Sequence, residues 1–419
     1  MLRLVDLRAG GTAPEPVEPA LDADVREAAH RIIGRVREQG DRALVELTQQ
    51  LDGSDIEGRI RVDSQEIVEA EPPPGLKAAI DSMAERLRGL HDRQLPRAWE
   101  VERDGVRFGE VVLPLASVGC YVPGGRAAYP STVLMTALPA RVAGVERVAL
   151  SSPPAEDGSL PDSVLYAARV AEVDDVYRVG GAQAVAAMAY GTETVAAVDK
   201  IVGPGNAYVT AAKQEVSAAV GIDLLAGPTE LVIVAGAPAD PVVLAVDLVA
   251  QAEHDPQART TLVCLDETLP EKVERALESE VESSTRRDIV QRALAASAAV
   301  IVGGEEEAAQ VVEHLAPEHL QIVTTDPGAF LARVRSFGAA FLGPSTPISF
   351  GDYGVGSNHV LPTMSTARFT SGLRASDFVT VRSFVEASAD AVARIGPEIE
   401  EVARAEELPG HARSSEVRR

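Results

Sequence analysis

The segment Gln251-Ala252-Glu253-His254 carries residue types that suit a metal site. It lies near the end of a predicted helix that begins at about Asp240, and positions i and i+3 share one face of a helix. The amide oxygen of Gln251 and a ring nitrogen of His254 can therefore converge on one point. Nitrogen and oxygen ligands without cysteine fit a divalent ion such as zinc. Two ligands are too few to hold it, so we expect further ligands from elsewhere in the chain.

Several downstream residues are candidates for the missing ligands. Asp352 and His359 lie in a glycine-rich loop at residues 351–359, Glu318 and His319 are adjacent, and His411 is close to the C-terminus. Each also has a purely structural interpretation. Gln251 and His254 can simply end a helix, Asp352 can cap a turn, and a histidine near a chain end is usually exposed.

Composition excludes some classes of protein. A net charge of −24 leaves no basic stripe for nucleic acid. No apolar run is long enough for a membrane span, and the first residues lack the apolar core of a signal peptide. The only cysteines are Cys120 and Cys264, too few for a disulfide framework. These patterns favour a cytoplasmic protein with no membrane partner.

The elements that would position these residues form two α/β series. Predicted strands and helices alternate from about residue 116 to 225 and again from 230 to 342, which predicts two parallel sheets with ligands at the carboxyl ends of their strands. In the first series the strands end in glycine turns, at Gly124-Gly125, Gly180-Gly181 and Gly203-Pro204-Gly205. Neither GxGxxG nor a P-loop motif is present. We further predict C-terminal helices over 376–395 and 397–407 and a polar tail over 408–419.

Seven motifs, taken together, resemble those of the histidinol dehydrogenase family, in the same order. They are Gly119-Cys120-Tyr121-Val122-Pro123-Gly124-Gly125, Val179-Gly180-Gly181-Ala182-Gln183-Ala184, Gly203-Pro204-Gly205-Asn206-Ala207, Ala226-Gly227-Pro228-Thr229-Glu230, Gln251-Ala252-Glu253-His254, Ala316-Pro317-Glu318-His319-Leu320, and Gly351-Asp352-Tyr353 with Asn358-His359-Val360-Leu361-Pro362. The resemblance covers nearly the whole chain. It implies oxidation of L-histidinol through L-histidinal to L-histidine, with two NAD molecules reduced and one zinc ion per subunit.

The resemblance also implies roles for individual residues. Zinc would be held by Gln251, His254 and Asp352, with His411 donated by the partner subunit of a homodimer. Glu318 and His319 would be the catalytic bases, because alcohol oxidation needs one base for the hydroxyl proton and the aldehyde hydrate needs another for water. Substrate would contact Thr229, Gln251, His254, His319, Asp352, His359, Glu406 and His411. NAD would contact Tyr121, Gln183 and Asn206.

The fold that the resemblance implies is α/β, with two Rossmann-like parallel-sheet domains, one inserted in the other. The expected division is an N-terminal extension (1–22), a zinc and catalytic domain (23–119 with 228–373), an inserted NAD-binding domain (120–227) and a C-terminal helical tail (374–419). The terminal segments would wrap the dimer partner, and the tail would complete the partner's active site.

Three alternatives remain open at this point. A relative within the family could oxidise another small polar alcohol, although His359 and Glu406 favour histidinol. A zinc-binding protein without turnover is a second alternative, which the presence of both Glu318 and His319 disfavours. A thiohemiacetal on Cys120 is the third, but its neighbours Gly119 and Tyr121 supply no base.

Overall fold

Two parallel β-sheets, each covered by helices, form the framework of the chain. The computed structural model describes residues 2–17, 21–124 and 127–419. The glycine turn predicted at Gly124-Gly125 therefore lies partly outside the described residues. Labels follow chain order. The strands are β1 Arg3–Asp6, β2 Trp99–Arg103, β3 Val106–Pro114, β4 Ser117–Tyr121, β5 Arg147–Ser151, β6 Asp175–Tyr177, β7 Lys200–Val202, β8 Gly221–Ile222, β9 Glu230–Ala235, β10 Arg259–Cys264, β11 Ala298–Ile301, β12 His319–Val323, β13 Ala339–Leu342 and β14 Val379–Ala387.

Helices connect most of these strands. They are α1 Ala23–Gln39, α2 Asp41–Asp52, α3 Ser64–Glu69, α4 Pro74–His91, α5 Pro130–Val142, α6 Asp162–Val170, α7 Gly181–Tyr190, α8 Ala207–Val216, α9 Pro241–Ala252, α10 Leu269–Ser283, α11 Arg287–Ala295, α12 Glu305–Leu315, α13 Pro327–Leu331, α14 Ser349–Asp352, α15 Ala389–Ala405 and α16 Pro409–Glu416. No helix in the described part of the chain is both long and apolar enough to cross a membrane.

The strand order confirms the predicted fold class. The larger sheet has six strands in the order β1-β11-β10-β9-β12-β13, and the smaller sheet has five in the order β6-β5-β4-β7-β8. All pairings within both sheets are parallel. The central strands β9 and β12 are buried along their whole length, as expected when helices cover both faces of a parallel sheet. Both sheets are therefore Rossmann-like.

The first four helices pack on the smaller sheet. Ile33 of α1 and Leu44 of α2 share a core with β5, β7, α7 and α8 on one face of that sheet. Leu87 of α4 shares the core of the opposite face with α5 and α6. The predicted grouping of residues 23–119 with 228–373 in one domain stays a prediction. An amphipathic helix shows which of its faces is buried, but its sequence does not specify which sheet it covers.

The N-terminal residues are part of the larger sheet. Strand β1 pairs in parallel with β11, from Arg3 opposite Ala298 to Asp6 opposite Ile301. The described residues 3–6 are thus an edge strand of the larger sheet. A strand of four residues is too short to be assigned to a sheet from its own pattern.

The C-terminal region differs from the predicted helices. Strand β14 occupies much of the segment 376–395 that we predicted to be helical, and it pairs antiparallel with β3, which also pairs with β2. Its sequence is rich in β-branched residues, and the strand gains hydrogen bonds only because β3 is beside it. Helix α15 then runs through Pro397 without ending, and α16 replaces the predicted polar tail. The described part of the antiparallel sheet consists of β14, β3 and β2 in that order.

Candidate active site

The predicted catalytic residues Glu318 and His319 lie at the amino end of β12, beside the amino end of its neighbour β9 in the larger sheet. Glu230 begins β9 and His319 begins β12, and Leu231 is opposite His319 in the parallel register. A cavity at this edge is lined by Thr229 and Glu318 from the larger sheet and by Gly203 and Pro204, which follow β7 of the smaller sheet. We call this space the candidate substrate cavity, because residues predicted to contact substrate line it, and it lies where the amino edge of one sheet meets the carboxyl edge of the other. The strand pattern predicts ligands at carboxyl ends, whereas one of the two edges here is an amino edge.

Glu318 accepts hydrogen bonds from the first residue of β9 and from the residue before it. Its Oε2 accepts a hydrogen bond from Thr229 Oγ1 at 2.6 Å and another from the backbone N–H of Glu230 at 3.1 Å. Thr229 Oγ1 in turn accepts a hydrogen bond from Gln251 Nε2. Gln251, Thr229 and Glu318 thus form one chain of hydrogen bonds. This chain uses the amide nitrogen of Gln251 and leaves its amide oxygen available to bind another group.

His319 lies between two carboxylates. Its Nδ1 is 3.4 Å from Glu318 Oε2 and 3.3 Å from the carbonyl oxygen of Glu230, and its Nε2 is 3.5 Å from Asp352 Oδ1. The ring packs against Phe341 with centroids 6.0 Å apart. Burial disfavours the charged imidazole, but Glu318 and Asp352 outweigh burial and raise the pKa of His319 to about 10. The second of these carboxylates, Asp352, comes from a segment distant in the sequence.

Asp352 is close to three histidines. Asp352 ends α14, and its side chain is near His319. Its backbone carbonyl oxygen is 3.0 Å from His359 Nδ1. Burial by itself would raise the pKa of Asp352, but the nearby imidazoles of His319, His359 and His254 lower it. The other ring nitrogen of His359 is 3.1 Å from Thr132 Oγ1. With both nitrogens used, His359 is fixed in the wall of the cavity, and burial lowers its pKa.

The side chains predicted to hold zinc are an amide, an imidazole and a carboxylate, which are donor types that divalent cations accept. Gln251 is buried at the end of α9, His254 is exposed just beyond that helix, and Asp352 is partly buried. Within the described residues, histidine, cysteine and carboxylate side chains form no group of three or more that could hold a metal. That finding does not test the predicted set. One chain contributes only His254 and Asp352 of those residue types, because Gln251 is an amide and His411 is expected from a partner.

Glu406 and His411 are not brought to this site within one chain. Both are exposed, at the end of α15 and in α16. Helix α15 contacts α16, and Arg394 of α15 hydrogen-bonds the carbonyl of Asp104 beside the antiparallel sheet. In the described part of the chain, no hydrogen bond or ion pair joins Glu406 or His411 to Gln251, His254 or Asp352.

The three predicted cofactor residues meet in one cleft. Tyr121, Gln183 and Asn206 all line a cavity of about 650 Å³ at the carboxyl edge of the smaller sheet, a size typical of sites for small molecules. The Tyr121 hydroxyl accepts a hydrogen bond from the N–H of Gly181 at 3.1 Å. Asn206 caps α8, since its Oδ1 accepts hydrogen bonds from the backbone at 3.0 and 3.1 Å.

The sequence did not indicate three residues that line a cavity or contact a predicted site residue. Asp52 lines the cleft of Tyr121, Gln183 and Asn206, Thr132 is within hydrogen-bond distance of His359, and Phe341 packs on His319. Each comes from a segment far from the motif residue that it contacts. An acidic residue that ends a helix before a glycine, as Asp52 does, is common in proteins and carries no functional pattern.

Cys120 is not placed for nucleophilic catalysis. Its side chain is fully buried in the core on one face of the smaller sheet. Burial raises the pKa of its thiol to about 12. Because the thiolate is the reactive form, the structure supports the expectation that no thiohemiacetal forms on this residue.

Comparisons with known proteins agree on one family. A family profile described as histidinol dehydrogenase matches residues 18–419. The chain is 45% identical over 397 residues to a histidinol dehydrogenase of Halalkalibacterium halodurans, covering 94% of this chain and 93% of that one. It is 44% identical to one of Geobacillus kaustophilus, covering 100% of this chain and 99% of that one. A crystal structure of histidinol dehydrogenase from Elizabethkingia anophelis superposes with a TM-score of 0.94 at 33% identity, covering 100% of this chain and 98% of that one.

Proposed function

Because this chain belongs to the histidinol dehydrogenase family, we propose that it oxidises L-histidinol through L-histidinal to L-histidine with two NAD molecules. The observation that carries this proposal is the position of His319. A buried histidine lies between Glu318 and Asp352, and its Nε2 has no hydrogen-bond partner among the described residues. A buried polar atom without a partner, beside a cavity, is suited to contact substrate.

Zinc is the metal that the donor set would hold. Gln251 and His254 at the end of α9 and Asp352 at the end of α14 would be the ligands from one chain, and His411 of a second subunit would be the fourth. Bound zinc would orient the imidazole and amine of histidinol and compensate the charge of Asp352. With Asp352 compensated, the pKa of His319 falls toward the range in which imidazole accepts a proton at neutral pH.

His319 and Glu318 then divide the proton transfers. His319 takes the hydroxyl proton of histidinol through Nε2 as a hydride passes from the carbinol carbon to NAD. Glu318 takes a proton from the water that adds to the aldehyde, and the hydrate gives its hydride to a second NAD. The support for separate roles is that the Oε2 atom of Glu318 is held by Thr229 and Glu230, so its carboxylate has a fixed position beside His319.

Thr229, His359 and Glu406 are the remaining substrate contacts in the proposal. Thr229 and His359 line the substrate cavity. Glu406, like His411, would come from the second subunit. Tyr121, Gln183 and Asn206 would bind NAD in the cleft beside this cavity.

A homodimer with shared active sites follows from the same proposal. The antiparallel sheet exposes the apolar side chains of Trp99, Val101, Leu113, Val381 and Val385. Val402 of α15 and Val417, the residue after α16, are also exposed and lie on either side of His411 in the sequence. Exposed apolar surfaces of this kind favour association, and a second copy of the chain would both cover them and receive His411. Cys120 and Cys264 are buried free thiols, which suits a reducing cytoplasm.

One assay tests the proposal directly. Purified protein should form two NADH for each L-histidinol consumed, followed by absorbance, and a chelator should abolish the reaction until zinc is restored. NADH formation from another small alcohol but not from histidinol would favour a different substrate. Zinc binding without turnover of any alcohol would favour a protein that only binds the metal.

A further inference from the structure

One acidic side chain of the cofactor cleft has no role in the function proposed above. Asp52 ends α2 and lines the cleft together with Tyr121, Gln183 and Asn206. Among the described residues that line the cleft, Asp52 alone carries a charge. Burial raises the pKa of Asp52 to about 6. The fold therefore keeps a carboxylate in surroundings that disfavour its ionised form.

The protein itself gives Asp52 little compensation for this burial. The only hydrogen bond that the structure describes for its carboxylate comes from Gln183 Nε2 at 3.4 Å, which is long for a bond to a charged group. Gln183 is fully buried, and its Oε1 has no partner among the described residues. A poorly paired carboxylate and an unpaired amide oxygen side by side in a cleft are two acceptors that a ligand with hydroxyl donors would satisfy.

We propose that Asp52 binds the hydroxyl groups of the adenosine ribose and makes the cleft select NAD over NADP. The inference rests on the proposed use of NAD. A carboxylate accepts hydrogen bonds from the neighbouring hydroxyls of a ribose, and it repels the 2′-phosphate that distinguishes NADP. In common dinucleotide folds this carboxylate follows a strand of the nucleotide-binding sheet. Here a helix that packs on the sheet supplies it.

The position of Asp52 indicates which end of the cofactor it meets. Gly203 and Pro204 line the substrate cavity, whereas Asn206 lines the cleft, so the two spaces meet at this turn. Helices α1 and α2 supply apolar side chains to the cleft, and no described residue of theirs lines the substrate cavity. Because the nicotinamide ring must reach the substrate, the part of NAD against α1 and α2 is the adenosine half.

Binding measurements with Asp52→Asn test the proposal. We expect affinity for NADH, followed by its fluorescence, to fall about tenfold when a hydrogen bond to a charged group is lost. Affinity for NADPH should stay the same or rise, so that the preference for NADH over NADPH falls. The matched control is Asp55→Asn, which removes the same charge from an exposed residue that is not part of the cleft. An unchanged NADH to NADPH preference in Asp52→Asn would overturn the proposal.

A second measurement uses the wild-type protein, so its main result does not require that a variant folds. The wild-type protein should bind 2′-deoxy-NAD about tenfold more weakly than NAD, and Asp52→Asn should discriminate less between the two. Equal affinity of the wild-type protein for both compounds would also overturn the proposal. These binding assays need no turnover. A protein that distinguishes NADH from NADPH but forms no NADH from histidinol would contradict the proposed function and leave the role of Asp52 intact.

Discussion

His319 is a buried histidine that lies between two carboxylates. It is nearly inaccessible to solvent, and both ring nitrogens are within 3.5 Å of a carboxylate oxygen. We predict that His319→Asn leaves zinc content intact and lowers the rate of NADH formation from histidinol by about 10²- to 10⁴-fold, because an amide cannot accept the hydroxyl proton. Metal analysis and NADH absorbance measure the two effects.

The control for that variant is His314→Asn, which makes the same substitution at an exposed position of α12. It should retain full activity. Normal NADH production by His319→Asn would refute the assignment of His319 as the first base.

Glu318 has a fixed carboxylate, so its role can be separated from that of His319. We predict that Glu318→Gln lowers the oxidation of histidinal more than the oxidation of histidinol, because the amide oxygen still accepts the hydrogen bond from Thr229 but cannot accept a proton from water. Rates with each substrate supplied separately measure the difference. Equal losses in both reactions would count against separate roles.

The ionised carboxylate of Asp52, which we propose binds ribose, makes the folded protein less stable. Its folded-state pKa of about 6 exceeds the ordinary value of 3.8, so the folded protein binds a proton more tightly than the unfolded chain. The wild-type protein therefore gains stability at this residue as pH falls through about 6 toward 4. We predict that Asp52→Asn raises the melting temperature above pH 6, and that the gain shrinks as pH falls toward 4.

Thermal unfolding of both proteins across this pH range measures the effect. Asp55→Asn again serves as the control and should show no gain of this form. A melting temperature of Asp52→Asn below that of wild type at pH 8 would mean that the carboxylate is structural.

At the scale of elements, the turn after β7 positions both cavities. Gly203 has a φ of +114°, and a Cβ there would lie 2.0 Å from the Tyr121 carbonyl oxygen, so glycine is required. The Gly203 N–H donates a hydrogen bond of 2.6 Å to Asp223, and its carbonyl accepts one of 3.0 Å from Lys213 of α8. Lys213 and Asp223 also form an ion pair with side chains only 2% and 1% exposed.

This buried pair gives an element-scale prediction. Lys213→Met should destabilise the protein by about 3–5 kcal/mol, because Asp223 is left as a buried charge without its partner. The double variant Lys213→Met/Asp223→Leu should recover part of the loss. Denaturant unfolding measures both changes.

The control for the buried pair is Arg42→Met. This change removes an exposed ion pair with Glu46 on α2 and should cost about 0.5 kcal/mol or less. A loss of similar size for Lys213→Met would show that the pair does not hold the turn.

At the scale of the whole molecule, one chain exposes apolar surface that a monomer has no means to cover. Strand β2 is exposed along its whole length, and Trp99 and Val101 within it are 46% exposed. The same region carries α15 and α16, with Glu406 and His411. Association through this region would connect assembly with catalysis, because each active site would lack a ligand until the second chain binds.

Mixing two inactive variants tests this connection. His254→Asn and His411→Asn should each be inactive alone. In a heterodimer, one site contains both substitutions and the other contains neither. After random exchange, half of the dimers are heterodimers with one intact site, so we expect about a quarter of wild-type activity. Confirmed heterodimers without activity would place His411 outside the partner's site.

The sequence by itself determined the fold class and the residues that could do chemistry. Alternating apolar strands and amphipathic helices are local patterns, and they predicted two parallel sheets that the structure contains. Motif residues such as Glu318 and Gln183 were identified for the same reason, because a motif is a short stretch of chain. The predicted roles of the site residues in binding zinc, NAD and substrate stay predictions.

Only the tertiary structure decided which distant segments meet. It packed α1 to α4 on the smaller sheet, made a strand of β14 by placing β3 beside it, and set Asp352 next to His319. It also placed Asp52 in the wall of the cleft that Tyr121, Gln183 and Asn206 line. Sheet pairing, burial and the pKa of a buried group depend on neighbours far away in the chain, and local sequence patterns carry no information about those neighbours.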